Sequence, residues 1–200
     1  MSKIDKEGML VHVQVQHRRY TQIEQGALEA ARAIVIHQTD AADEQSTFNA
    51  YARGGHGAHF LIAKNGTLYQ TASLFKRCFH VGARIKSRCL ELLKANCRDP
   101  EIAKALALGW SAQIAAINEI ERRKTYPERF PVNSDSIGIE LVGRHIDERR
   151  YEAVTAEQNH RLQWLIDEIY RHFSISSADV FRHPQVSYKH PDEAGSAVWR

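Results

Sequence analysis

Two short runs in this 200-residue chain are too apolar to have a wet face: Ile34-Val35-Ile36-His37 and Ser136-Ile137-Gly138-Ile139-Glu140-Leu141-Val142. A strand with water on one side alternates apolar and polar residues, whereas a strand covered on both faces reads as a continuous β-branched run. These runs predict central strands of a sheet. A third segment, Val180-Phe181-Arg182-His183, is also β-like. Each carries, at or near its end, a side chain that can hold a metal or a proton: His37, Glu140 and His183.

Elsewhere the pattern alternates between strand and helix spacing, so the chain reads as α/β. Residues 11–15 alternate and predict a short edge strand. Residues 22–32 carry Ile23, Ala27, Leu28 and Ala31 and predict a short helix. Residues 46–53 predict another, with Ser46 as N-cap and Phe48 and Tyr51 on its apolar face. Residues 58–63 and 67–70 flank Lys64-Asn65-Gly66, where Asn-Gly supplies the positive φ of a tight hairpin. Residues 87–96 and 101–124 predict two helices, the second with Ile102, Leu106, Trp110, Ile114, Ile117 and Ile120 at helical steps. Thr155-Ala156-Glu157-Gln158 has the form of a capping box, opening a helix as far as Phe173. From Val180 the tail is expected to be loop-like and is rich in candidate ligands. With no repeat, low-complexity stretch or linker, residues 1–200 are expected to form a single domain.

Composition removes several classes of function. No stretch approaches the roughly 18 apolar residues of a membrane span. The polar opening residues, and a following run broken by His12, Gln14, Gln16 and His17, form no signal-peptide core. The protein is therefore expected to be made in the cytoplasm and to stay there, or to leave by a route that needs no cleaved leader. A net charge of +3 offers modest steering toward an acidic polymer. No arginine-rich run interleaves with aromatics, so nucleic acid is not an expected partner. The odd set Cys78, Cys89 and Cys97 argues against a disulfide scaffold. Cys89 and Cys97 could pair in an oxidising compartment, though no spacing rule demands it.

Two histidines, an acidic residue and a separate carboxylate make a chemically coherent set. Hydrolytic zinc needs three protein ligands and one open position, and a neighbouring carboxylate can take the proton of water. Each residue also has a plainer reading. A lone histidine ending a strand is usually a hydrogen-bonded structural residue. Glu140 in an apolar strand could be half of a buried ion pair, and Lys189 a surface lysine. His59 reads as packing in the hairpin, and Asp40 as a turn residue. His56, His145, His160 and His172 read as surface or loop residues.

The joint order of four fragments tips this balance: Ile34-Val35-Ile36-His37-Gln38-Thr39, the hairpin from Gly57-Ala58-His59 to Leu68-Tyr69-Gln70, His80-Val81-Gly82, and Ser136-Ile137-Gly138-Ile139-Glu140. With the outline of residues 183–199, they resemble the zinc-dependent N-acetylmuramoyl-L-alanine amidases, the T7-lysozyme-like and peptidoglycan-recognition-protein-like group. The resemblance runs over residues 34–199, with 84–132 as a looser helical insert. It implies a central mixed β-sheet flanked by helices, with Zn2+ in a groove on one face. It also implies hydrolysis of the amide between N-acetylmuramic acid and L-alanine of the stem peptide. Two metal ligands fall on His37 and His183, the base on Glu140, an oxyanion-stabilising lysine on Lys189, and a groove-lining, substrate-binding position on His80.

The third ligand departs from the family's pattern. Pro191 stands two residues past Lys189, where the family usually has Asp or Cys, and proline cannot bind metal. Asp192 or Glu193 must substitute, or His190 must turn inward. Spacing from His183 favours Glu193 and closeness to Lys189 favours Asp192; Glu193 is the preferred expectation. The expected partners are peptidoglycan or soluble muropeptides. The setting is a recycling enzyme, a phage endolysin, or an antibacterial effector with its own immunity or inhibitor protein. The run Tyr126-Pro127-Glu128-Arg129-Phe130-Pro131 resembles effector-type amidases. A non-catalytic peptidoglycan-recognition module is the rival reading.

Overall fold

The computed structural model describes residues 2–200. The chain opens with the hairpin β1 (Lys3–Ile4) and β2 (Leu10–Val11), followed by β3 (Val15–His17), β4 (Glu24–Ala27) and β5 (Ala33–Gln38). Helix α1 (Glu44–Arg53) leads into the hairpin β6 (Phe60–Ile62) and β7 (Leu68–Gln70), then β8 (Lys76–Cys78). Three helices follow, α2 (Arg88–Leu93), α3 (Pro100–Leu106) and α4 (Trp110–Arg122). The chain continues with β9 (Ser136–Leu141), the hairpin β10 (His145–Asp147) and β11 (Arg150–Tyr151), α5 (Ala156–His172), β12 (Val180–Arg182) and the short α6 (His183–Val186).

Six strands form one sheet in the order β12-β5-β9-β6-β7-β3. The first four run parallel; β7 is antiparallel to β6 and parallel to β3, so the sheet is mixed. All six residues of β5 are buried, as its unbroken apolar run requires. Alternate residues serve opposite faces. Ile34, Ile36, Ile137, Ile139 and Leu141 pack with Leu162, Leu165, Ile166 and Ile169 of α5. Ala33 and Val35 turn to the other face, against Val81, Ile85, Phe130 and Phe181. Helix α5 opens with the expected capping box, and Gln158 Nε2 also donates to the carbonyls of Ile62 and Val142. That side chain fixes the helix to the ends of two strands.

Several expectations are corrected. Residues 22–32 form no α-helix: a short 3-10 turn ends at Ile23, Glu24–Ala27 pairs with β8, and Gly26 takes a φ of 86°. Strand pairing outweighs the helical spacing of the apolar residues there. The cap of α1 is Asp43, whose carboxylate accepts from the Ser46 N–H. The alternating stretch at 11–15 is split between β2 and β3, with β3 at the sheet's edge. The single helix expected over 101–124 is broken, because Gly109 caps a new start at Trp110. The tail is not all loop, since β12 pairs with β5. Cys89 and Cys97 are joined in a disulfide, their Cα atoms 5.4 Å apart, because α2 ends in a tight turn that brings the chain back.

Helices α2 to α4 have a small core of their own, Ile102, Ala105, Ile117 and Ile120. They leave Leu92, Leu93, Leu106, Leu108 and Trp110 exposed. No helix among the described residues is long and apolar enough to cross a membrane.

Candidate metal centre and active-site cavity

Strand register assembles the centre. Parallel pairing sets His37 of β5 opposite Glu140 of β9. Arg182 of β12 pairs with Ile36, so His183, one residue on, emerges beside His37. Period two turns His37 and Glu140 away from the α5 face. The carboxyl ends of parallel strands are where open α/β sheets place their ligands. The two imidazole rings lie 4.2 Å apart, centroid to centroid. Glu193 reaches them from a turn in the tail, where Ala194 takes a φ of 55°. Its Oε1 lies 2.9 Å from His183 Nδ1 and 3.5 Å from His37 Nδ1. All three residues are buried, and their donor atoms lie within 4.8 Å of one another.

The chemistry of these donors fits a divalent metal. Metal-binding imidazoles must be neutral and carboxylates ionised. Burial, reinforced by the neighbouring His183, pushes His37 down to about 4. Burial pushes the Glu193 carboxyl up, but the hydrogen bond from His183 and the nearby His37 ring outweigh it and hold the group well below the usual carboxylate range. His183 Nε2 has no partner among the described residues. Two nitrogens and one oxygen are a common set for catalytic zinc.

Glu140 lines the same cavity, a space of about 940 Å³. Its Oε2 is buried with no hydrogen-bond partner among the described residues. No arginine pairs with it there, so the ion-pair reading of this residue is not what the structure contains. Burial, and then the charge of Glu193, raises its carboxyl to about 8. Lys189 lines the cavity too, and its side chain passes beside Gly82. His80 forms part of the wall but is buried, with Nδ1 3.0 Å from His37 Nε2. Asp192 is turned away: its Oδ2 accepts from the Tyr151 N–H at 2.8 Å. His190 is not among the clustered donors either: it lines the cavity beside His145, donating from Nε2 to the Glu148 carbonyl.

Part of the rim is absent from the sequence reading. Asp40 and His145, read there as a turn and a surface residue, meet at 3.0 Å beside the cavity. Tyr151 packs on His145 with ring centroids 4.0 Å apart, and Tyr51 of α1 also lines the space. The β10–β11 hairpin that carries two of these residues is too short to leave a period in the sequence.

The sequence pattern of the N-acetylmuramoyl-L-alanine amidases matches residues 27–195. The chain belongs to this family. The matched span includes His37, Glu140, His183, Lys189 and Glu193. No curated protein sequence matches the chain. Among solved structures, the amidase chain is similar to a selenomethionine derivative of AmpD, with a TM-score of 0.55 and 16% identity over 94% of this chain and 91% of that one. It is similar to the N-acetylmuramoyl-L-alanine amidase LysC from Clostridium intestinale URNW, with a TM-score of 0.51 and 19% identity over 90% and 89% of the two chains. It is also similar to AmpDh3 from Pseudomonas aeruginosa, solved in complex with anhydromuramic pentapeptide, with a TM-score of 0.50 and 19% identity over 78% of this chain and 51% of that one. What is shared at these identities is the fold, a mixed sheet flanked by helices.

Proposed function

We propose that the protein is a zinc-dependent amidase that cleaves the bond between N-acetylmuramic acid and L-alanine of the peptidoglycan stem peptide, with residues 1–200 as one catalytic domain. One observation carries this reading. In a member of the amidase family, a buried His37–His183–Glu193 cluster sits beside an unpartnered carboxylate, Glu140, on the neighbouring strand.

His37, His183 and Glu193 are the proposed ligands of Zn2+; the alternative, Asp192, is engaged by the Tyr151 backbone. A zinc ion held there supplies Lewis acidity, polarising the scissile carbonyl and making water more acidic. Glu140 is the general base: it takes the proton of the attacking water and returns it to the amide nitrogen, so the peptide leaves as an amine. Lys189 stabilises the negative charge that develops on the carbonyl oxygen. One water is consumed, and the products are a lactyl carboxylate and a peptide with a free L-alanine amino group. His145 and Tyr151 form the rim of the cavity that would receive the substrate.

The test is incubation with isolated sacculi, with and without a chelator, with products read by mass spectrometry. Stem peptides beginning at L-alanine are expected, lost with chelator and restored by zinc. Protein that binds the wall and releases nothing would instead be a recognition module.

For the setting, we favour action on the wall as an antibacterial effector, with an immunity protein as its natural inhibitor. The Cys89–Cys97 disulfide supports an oxidising compartment such as the periplasm over cytosolic recycling. Export of the protein to the periplasm of a host bacterium is expected to cause lysis. Activity confined to soluble muropeptides, without lysis, would return the protein to recycling.

A further inference from the structure

His80 takes no part in the steps above, yet few side chains in the centre are held so firmly. The Asn133 carboxamide oxygen accepts from the N–H groups of both His80 and Val81, at 3.0 and 2.7 Å. The His80 ring lies against β9 at Gly138, where a Cβ would come within 2.7 Å of its Cγ and 2.9 Å of its Nδ1. Only a residue without a side chain leaves that space.

The hydrogen bonds around the ring run in one direction. Ser136 Oγ donates to the Val132 carbonyl at 2.7 Å, so its hydrogen is committed and its oxygen can only accept. The Ser136 carbonyl can likewise only accept. Both oxygens lie 3.3 Å from His80 Nε2, so that nitrogen carries the proton. A neutral imidazole then presents a lone pair at Nδ1. This faces His37 Nε2 at 3.0 Å, so His37 donates from Nε2. The lone pair of His37 is left on Nδ1, the nitrogen 3.5 Å from Glu193 Oε1. A lone pair and a carboxylate oxygen facing each other repel unless a cation lies between them.

We propose that His80 is a positioning residue that fixes His37 as its Nε2–H tautomer and so aims Nδ1 at the metal. Ser136 sets the direction of this relay, and Gly138 makes the room for it. The proposal rests on the zinc reading of the site and deepens it. Both ring nitrogens of His80 are used in the relay, so it offers substrate no hydrogen bond. The glycine of Ser136-Ile137-Gly138-Ile139-Glu140 thereby acquires a reason: the strand that carries the base also seats the residue that orients a ligand. Partners of this kind are worth about 10–100-fold in metal affinity.

The test combines imidazole nitrogen NMR on the metal-free protein with zinc titration against a competing chelator. The proteins are the parent, His80→Leu, His80→Asn and Gly138→Ala, with thermal melting as the control for folding. In the metal-free parent, His37 is expected as the Nε2–H tautomer. The zinc Kd is expected to rise about 10–100-fold in His80→Leu. It should also rise in Gly138→Ala, which displaces the ring. His80→Asn keeps an acceptor near the Nδ1 position and is expected to stay within a few-fold of the parent. An Nδ1–H His37 in the metal-free parent overturns the proposal, as does a His80→Leu protein that holds zinc as tightly as the parent. If His80→Leu fails to fold, the contrast between His80→Asn and Gly138→Ala decides in the same way. A parent that takes up no zinc defeats the metal reading, and the tautomer of His37 still decides this one.

Discussion

The two walls of the cavity are built by different means. One is sheet: His37 and Glu140 sit opposite each other on paired strands, and His183 follows directly from a third. The other is tail: Lys189 precedes a turn and Glu193 stands in it, the segment being held by separate contacts. These run from Asp192 to the Tyr151 N–H, from His190 to the Glu148 carbonyl, and from the Ala194 N–H to the Gln38 side chain. In the sheet wall, register decides everything, because a slip of one residue would turn His37 and Glu140 toward α5. In the tail wall no register exists, and each functional group depends on a few polar contacts across distant parts of the chain. Sheet-borne groups therefore answer to their own chemistry, while tail-borne groups answer also to their fastenings.

The comparison breaks most easily at the sheet. Glu140→Ala should lower turnover of sacculi by about 10²–10⁴-fold while zinc content and melting temperature hold; turnover at the parental rate would remove Glu140 as the base. In the tail, Glu193→Gln should lose most zinc affinity. Asp192→Asn should keep zinc and raise KM several-fold by loosening the Tyr151 hairpin. Metal analysis showing the reverse would exchange their roles. Lys189→Met should cut kcat by about 10²–10³-fold with zinc unchanged, measured on soluble muropeptides.

The smallest effect concerns pH. Burial, then Glu193, lifts the Glu140 carboxyl to about 8 from an ordinary 4.5. Between those values the unfolded chain has released a proton that the folded protein keeps, so the metal-free protein loses stability as pH rises through this window. Glu140→Gln carries no such proton. Its advantage in Tm over the metal-free parent should be absent below pH 4.5 and grow until pH passes about 8. A constant difference across that range would mean the carboxyl titrates normally.

The sheet wall was legible in the sequence for the reason that makes it robust. Burial on both faces writes itself into Ile34-Val35-Ile36 and Ile137-Gly138-Ile139 as runs with no polar member. The tail wall was legible only to within one residue. Spacing in a loop does not say which of two adjacent carboxylates turns inward, and that choice is made by Tyr151, 41 positions away from Asp192. The β10–β11 rim was silent because two- and three-residue strands carry no period. The false helix at 22–32 had the right apolar spacing, but pairing with β8 and the positive φ of Gly26 overrode it. The Cys89–Cys97 link needed the turn after α2, which cysteine counting does not contain.

Strand β12 has one neighbour, β5, and stands at the margin of the sheet. Two of the three clustered donors, His183 and Glu193, lie beyond it, while the third belongs to the first fifth of the chain. An ion shared among them would act as a rivet between β5 and the segment that follows β12. Without it, residues 180–200 would keep the three-residue ladder of β12, the buried side chains of Val180, Phe181, Val186, Ala194 and Ala197, and scattered polar contacts. Opening of the metal-free protein along the β12 edge would take both donors with it, so that losing the ion and undoing the tail become a single event.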